Sequence, residues 1–285
     1  GALASGWRSV NGAWYWLDIA NDNRMVTGFF SIGSNRYHFS STGALSLGWF
    51  MSDGDWYYAE PSNASGIVKT GWLKDGSQYY YLDPAVDGKM LLGHFSVNGK
   101  SYYAKGSGAV ACREWVDVQD SVQDGPSKAF AGSDCSLCGT LRNGKLFTSN
   151  GDGELVEARG FVTLGGCIFY ADPTNGSLSV GWQNVNGKWY FFDETAGYAR
   201  SGWLSKDGSW SYLDPSTYVM KTGWVAVNGY WYYLNSSGYM QTGWLNLGGT
   251  WYWLDASGAM ATGWRVVDGS WNYFMANGAW VSDYM

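Results

Sequence analysis

Apolar and polar positions in this chain alternate in short runs that never reach helical length, and the runs recur. Between residues 223 and 242 the chain reads Trp224-Val225-Ala226-Val227, then Asn228-Gly229, then Trp231-Tyr232-Tyr233-Leu234, then a polar turn Asn235-Ser236-Ser237-Gly238 that leads to Met240. Two β-prone runs joined by Asn-Gly predict a hairpin, because the tight turn that matches strand twist needs positive φ at both central residues. The same tip recurs at Asn11-Gly12, Asp53-Gly54, Asp75-Gly76, Asn98-Gly99, Asn186-Gly187, Asp207-Gly208 and Asp268-Gly269. No segment carries helical periodicity over a useful length. Each unit is a β-hairpin plus a connecting loop, and the fold class is all-β.

The unit recurs thirteen times, at spacings of 20 to 25 residues. Eight copies open on an intact Gly-Trp, at Trp7, Trp49, Trp72, Trp182, Trp203, Trp224, Trp244 and Trp264. The other openings are softened: Gly28-Phe29, Gly93-His94, Glu114-Trp115, Gly139-Thr140 and Gly160-Phe161. A fixed period in this range predicts a solenoid, since a lone hairpin is marginal in water and gains stability by stacking on its neighbours. In the second strand the middle position accepts Ser211 and Asn272, while the flanking positions stay aromatic, as Trp210 and Tyr212 or Trp271 and Tyr273. Strand residues alternate faces, so the first and third positions share one face. The Trp of Gly-Trp precedes the first of them by seven residues in seven repeats, from 7/14 to 264/271.

Between about Ala111 and Cys167 the pattern weakens, with one Trp (Trp115) and residues such as Asp117, Asp120, Asp124 and Lys128. We read 6–111 as an N-terminal block of repeats, 112–160 as degenerate repeats with an insertion around 117–138, and 161–285 as a C-terminal block. Cys112, Cys135, Cys138 and Cys167 all fall in or beside this middle section. Four cysteines without a nearby His admit disulfides, a Cys₄ zinc site or free thiols; the pairs Cys112–Cys135 and Cys138–Cys167 are the connectivity expected.

Composition narrows the function. The chain holds 19 Trp, 21 Tyr and 41 Gly but only 15% charged residues. So many rings cannot all be interior, and they must also line seams and surface clefts. A net charge of −6 argues against nucleic acid, whose binding rests on Lys and Arg at phosphates. No apolar run is long enough to span a bilayer. No secretory leader opens the chain, which starts inside a repeat and so reads as a mature or trimmed piece.

The phrase Gly-Trp, hairpin tip, Trp-Tyr-Tyr, Gly-x-Met-x-Thr-Gly-Trp resembles the choline-binding or cell-wall-binding repeats of Gram-positive surface proteins, across residues 6–112 and 160–281. Related repeats occur in streptococcal glucan-binding domains and clostridial toxins. The resemblance implies a left-handed superhelix of stacked hairpins, in which three rings from adjacent hairpins, often with a Met, surround a choline headgroup. It implies attachment to choline-decorated wall teichoic or lipoteichoic acid at the cell surface, outside the cell. Carried over position by position, the cages expected are Trp203, Trp210, Tyr233 and Met220; Trp224, Trp231, Trp253 and Met240; and Trp244, Trp251, Tyr273 and Met260. Two more, Trp182, Trp189 and Tyr212, and Trp49, Trp56 and Tyr81, have Ala199 and Val68 where Met would stand. Trp7 and Trp14 would meet His38, and Trp264 and Trp271 would cap the stack.

The chemistry suits those residues. A quaternary ammonium offers no hydrogen to an acceptor, whereas each aromatic face attracts it by roughly 0.5–2 kcal/mol. Three rings give affinity on the order of millimolar, and repetition on a polymer adds avidity of about 10²–10⁴. Two bland readings stand beside this one: a Trp pair can fill a seam between rungs, and Met can be packing. Aromatic rows also stack on sugars, so an α-glucan or host-glycan lectin is the alternative, with Asp193, Asp214, Asn235 and Asp255 as candidate hydroxyl readers or simple turn acceptors. A purely structural stalk or adhesin is the third. His38 and His94 match no metal or triad signature and the carboxylates recur at turns, so neither enzyme chemistry nor a cofactor is expected.

Overall fold

A computed structural model of the chain describes residues 5–118, 127–149 and 154–282. They form two compact units: residues 5–118 with 127–138, and residues 139–149 with 154–282. Both are all-β, built from antiparallel hairpins, with 3₁₀ turns at Ile19–Asn21, Ser62–Ala64 and Pro84–Val86 the only helical pieces among the described residues.

The expected tips form. Val227 pairs with Tyr230 across Asn228 and Gly229, whose φ values of 51° and 84° are those the tight turn demands. One tip differs: Asp75 is the last paired residue, opposite Gln78, so Gly76 and Ser77 make that turn.

The interior is a column of one residue per hairpin, at the fourth position of the second strand. Phe39, Ala59, Leu82 and Ala104 fill it in unit one, and Ala171, Phe192, Leu213, Leu234, Leu254 and Phe274 in unit two, all essentially inaccessible to solvent. Each faces the opening Gly of its repeat across the hairpin, as Gly223 of Gly223-Trp224 faces Leu234 and Gly28 of Gly28-Phe29 faces Phe39. The Trp and Tyr positions lie around this column rather than in it.

Neighbouring rungs are tied by backbone hydrogen bonds. The loop after one hairpin reaches the second strand of the hairpin before it: Met220 N–H donates to Trp189 O at 2.8 Å, Met240 to Trp210 at 2.7 Å and Met260 to Trp231 at 2.8 Å. In unit one Leu45 donates to Trp14, Val68 to Arg36 and Val110 to Tyr79 in the same way. The methionine side chains then lie under the turn of the following loop. A Cβ built on Gly258 would stand 2.4 Å from Met240 Sδ, and Gly258 also has φ of 84°. Gly at that place is required by both the turn and the thioether beneath it.

In the middle section Glu114–Val118 pairs with Ser127–Ala131; 119–126, the heart of the expected insertion, lie outside the described residues. Cys112 and Cys135 form a disulfide within unit one. With two of the four sulfurs so bonded, the Cys₄ zinc alternative falls away.

At the C-terminal end Trp280–Val281 adds a third strand to the last hairpin. Trp264 and Trp271, expected to cap the stack, are exposed instead. Trp280 is the residue that covers the end: its ring lies 5.5 Å from Trp244 and its Nε1 donates to Asn272 Oδ1 at 2.8 Å.

Candidate aromatic binding sites

Strand alternation decides where each ring points. In the 202–213 hairpin Trp203 pairs with Tyr212 and Ser205 with Trp210, so Trp203, Trp210 and Tyr212 share one face, as expected. Leu204 and Ser211 form the pair between them and face the other way. Stacking sets the front face of one hairpin against the back face of the next. The ring that meets Trp203 across the seam is therefore the middle residue of the next second strand, Tyr232, at 4.8 Å and 71° between planes.

This yields open clefts with a common plan. Trp203 and Trp210 stand nearly perpendicular, 6.4 Å apart, and Tyr232, Met240, Ala256 and Ser257 complete the lining. Trp224, Trp231, Tyr252, Met260, Ala276 and Asn277 line the next. In unit one Trp49 and Trp56 combine with Tyr80, Met90 and Ser107, and Trp7 and Trp14 with Tyr37 and the loop Asn63 to Ser65. The cavities range from about 300 Å³ to about 400 Å³. Each draws two Trp from one hairpin, a ring from the next, and a wall from the loop beyond.

Trp189 and its counterparts on the second strand are open to solvent: Trp56 is 42% exposed, Trp189 44%, Trp210 45% and Trp231 47%. A ring that only filled a seam would be covered. The Gly-Trp partners are half-buried and hold the back wall. Trp49 Nε1 donates to Asp75 Oδ2 at 2.9 Å and Trp244 Nε1 to Asp268 Oδ2 at 3.3 Å, so tip carboxylates of the next hairpin fix these indoles.

Several expected memberships change. Tyr233, Trp253, Tyr273, Tyr212 and Tyr81 each sit one residue past the position that faces the cleft, held by Tyr232, Tyr252, Asn272, Ser211 and Tyr80. They pair across their own hairpins, with Trp224, Trp244, Trp264, Trp203 and Trp72 respectively. Tyr37 likewise takes the place expected of His38, which stacks on Phe50 at 4.4 Å and accepts or donates at Ser46 Oγ. The methionines move by one repeat: Met220 lines the Trp182 cleft, Met240 the Trp203 cleft and Met260 the Trp224 cleft. The clefts expected to lack Met thus contain one, Met220 in place of Ala199 and Met90 in place of Val68.

Two sites depart from the plan. Behind Trp182 the middle position is Ser211, which is buried, and the third wall comes from Tyr239 with Ser236 and Ser237. Beside Trp244 the middle position is Asn272, and Trp280 occupies the rung position that Met holds elsewhere, so Trp244, Trp251 and Trp280 gather. The tolerance of the middle position to Ser and Asn marks the rungs where another ring substitutes.

The loop carboxylates act at turns. Asp214 Oδ1 accepts from Ser216 N at 2.9 Å and Thr217 N at 3.0 Å, and these N–H groups with the Lys221 ammonium hold its pKa down to about 2. Asp193, Asn235 and Asp255 accept turn N–H groups in the same manner. Burial among rings pushes the His38 pKa below its ordinary value. Among the described residues no group of three or more His, Cys, Asp or Glu is placed to hold a metal, and no helix is long and apolar enough to cross a membrane.

Two family models match. The one described as "Choline-binding repeat" covers 179–220 and 221–262, and the one described as "Putative cell wall binding repeat" covers 5–18, 27–45, 48–62 and 70–85. No curated protein matches the chain significantly. Similar solved structures include two from Streptococcus pneumoniae that run almost end to end. Choline binding protein F is 25% identical over 99% of this chain and 94% of that one, with a TM-score of 0.45. CbpJ of strain TIGR4 is 25% identical over 97% and 94%, at 0.43. The choline binding domain of Spr1274, from the same organism, is 41% identical over 29% of this chain and 95% of that one, at 0.26.

Proposed function

Since the chain belongs to the family of choline-binding, cell-wall-binding repeats, we propose that its clefts seat the trimethylammonium groups of choline-bearing wall polymers, teichoic or lipoteichoic acid, and so fasten the protein to the outer cell surface. The role is attachment without catalysis. The supporting observation is the recurring corner of perpendicular rings, with one Trp half-buried and the other exposed, as at Trp203, Trp210 and Tyr232. Rings so arranged present several π-faces to one volume, which favours a cation that has methyl groups and no N–H. Met240 or its equivalent adds a polarisable apolar wall. The residues expected to read sugar hydroxyls, Asp193, Asp214, Asn235 and Asp255, each have Oδ1 engaged in a turn, which favours the cation over the sugar.

The test is a thermal melt with choline titrated from about 1 to 100 mM beside glucose and isomaltose controls. A ligand that binds only the folded state stabilises each site by about 2.7 kcal/mol at a hundredfold excess over Kd. The melting temperature is expected to rise with choline and stay flat with the sugars. A shift with isomaltose alone transfers the clefts to the glycan reading, and no shift with any ligand leaves a stalk.

A further inference from the structure

The second hairpin of unit one, residues 28–39, has the parts of a cleft but not its opening. Phe29 stands at the Gly-Trp position, and Tyr57, the middle residue of the next second strand, meets it at 4.8 Å and 66°, as Tyr232 meets Trp203. Where the exposed Trp should be, the chain has Arg36. The rung equivalence is fixed by the backbone: Val68 N–H donates to Arg36 O as Met240 N–H donates to Trp210 O.

The Arg36 guanidinium carbon lies over the Phe29 ring, 5.4 Å from its centroid. Nη2 meets Asp87 Oδ2 at 2.8 Å, and Nη1 donates to Ser31 Oγ at 3.2 Å. Nε is shielded from solvent with no hydrogen-bond acceptor. Asp87 belongs to the loop two hairpins on, the counterpart of the loops that contribute Ser107 to the Trp49 cleft and Ser257 to the Trp203 cleft. At this rung the wall is therefore acidic and the cation is the protein's own.

We propose that Arg36 is a built-in ligand: its guanidinium fills the cation seat formed by Phe29, Tyr57 and Asp87, so this rung takes no external organic cation. The side chain closes one cleft between the open ones at Trp7 and Trp49. The seat itself is intact behind it, and removal of the tether converts it into a further site for a quaternary ammonium. Asp87, left without its partner, then adds a carboxylate to the ring faces. This inference rests on the wall-binding reading for the identity of the outside cation, but not for the filling of the seat.

The experiment has two arms on the full chain. Equilibrium dialysis with choline counts the molecules bound at saturation by the parent and by Arg36→Trp, which installs the residue found at Trp14 and Trp56. One additional choline per chain is expected, and an unchanged count from a variant with the parent's circular dichroism overturns the proposal. The second arm needs no choline: a double-mutant cycle of Arg36→Met against Phe29→Leu, read by denaturant unfolding. A cation held by that ring gives coupling worth roughly two- to thirtyfold in the unfolding equilibrium constant; strict additivity overturns the filled seat. If neither protein binds choline, the wall-binding reading fails and the cycle alone decides on Arg36. The cycle decides equally if Arg36→Trp does not fold.

Discussion

Two residues three apart in one strand carry opposite burdens here. Leu213 closes the interior column with no exposed surface, while Trp210 has 45% of its surface in solvent although it is larger and more apolar. Burial sets the stability role and, under the proposed function, aromatic exposure sets the binding role. Leu213→Ala removes fully buried methyls opposite Gly202, which has no side chain to fill the gap, and is expected to cost about 2–5 kcal/mol. Trp210→Ala is expected to cost less than Leu213→Ala, since nearly half of what it removes is already in solvent. The order reverses in binding: Trp210→Ala loses one choline per chain and Leu213→Ala none at temperatures where it is folded. Denaturant unfolding and dialysis on the same two variants check both halves, and a Trp210→Ala variant as unstable as Leu213→Ala would make that ring a seam residue.

At the scale of the hairpin, most of the fold was legible in the sequence, and the site was legible up to one residue. Asn-Gly and Asp-Gly tips, the 20-residue period and the face shared by Trp203, Trp210 and Tyr212 all follow from local rules, turn sterics and strand alternation. The third ring required a rule between hairpins. In a stack, the front of one rung meets the back of the next, so the partner is the middle residue Tyr232 and not Tyr233. Alternation alone contains that answer once stacking is front to back; the tolerance of Ser211 and Asn272 pointed the other way. The methionine shift has the same origin, because Met240 binds the backbone of the preceding rung at Trp210. The column of Leu, Ala and Phe also recurred along the sequence, overshadowed by the rings beside it. Gly258 links these facts. Gly258→Ala forces strain at φ of 84° and pushes Met240 toward Trp203 and Trp210. Stability is expected to fall by about 1–3 kcal/mol, with choline weakened at that cleft while the Trp49 cleft is untouched. Ring-resolved NMR titration of the two clefts separates a local effect from general loosening, which would weaken both.

For the molecule as a whole, repetition converts weak seats into an anchor only if the seats act together. Two of the described clefts lie in unit one, at Trp7 and Trp49, and three in unit two, at Trp182, Trp203 and Trp224. One seat of millimolar strength, about −4 kcal/mol, holds nothing at a cell surface. A second seat on the same body binds at an effective concentration set by the spacing of headgroups on the polymer, and gains of about 10²–10⁴ follow without any new contact. Capacity and retention must then respond differently to damage. Replacing Trp56, Trp189, Trp210 and Trp231 by Ala one after another lowers the number of free choline molecules bound in equal steps, since each ring serves one cleft. Retention on a choline-bearing surface multiplies the individual terms, so its logarithm falls by comparable steps and the half-life on the surface collapses after the first two or three. Dialysis against surface-plasmon dissociation on the same series reads both. If one replacement abolishes retention while capacity falls by a single step, a dominant cleft carries the attachment. If retention declines only in proportion to capacity, the clefts bind independently and the array gains nothing from being an array.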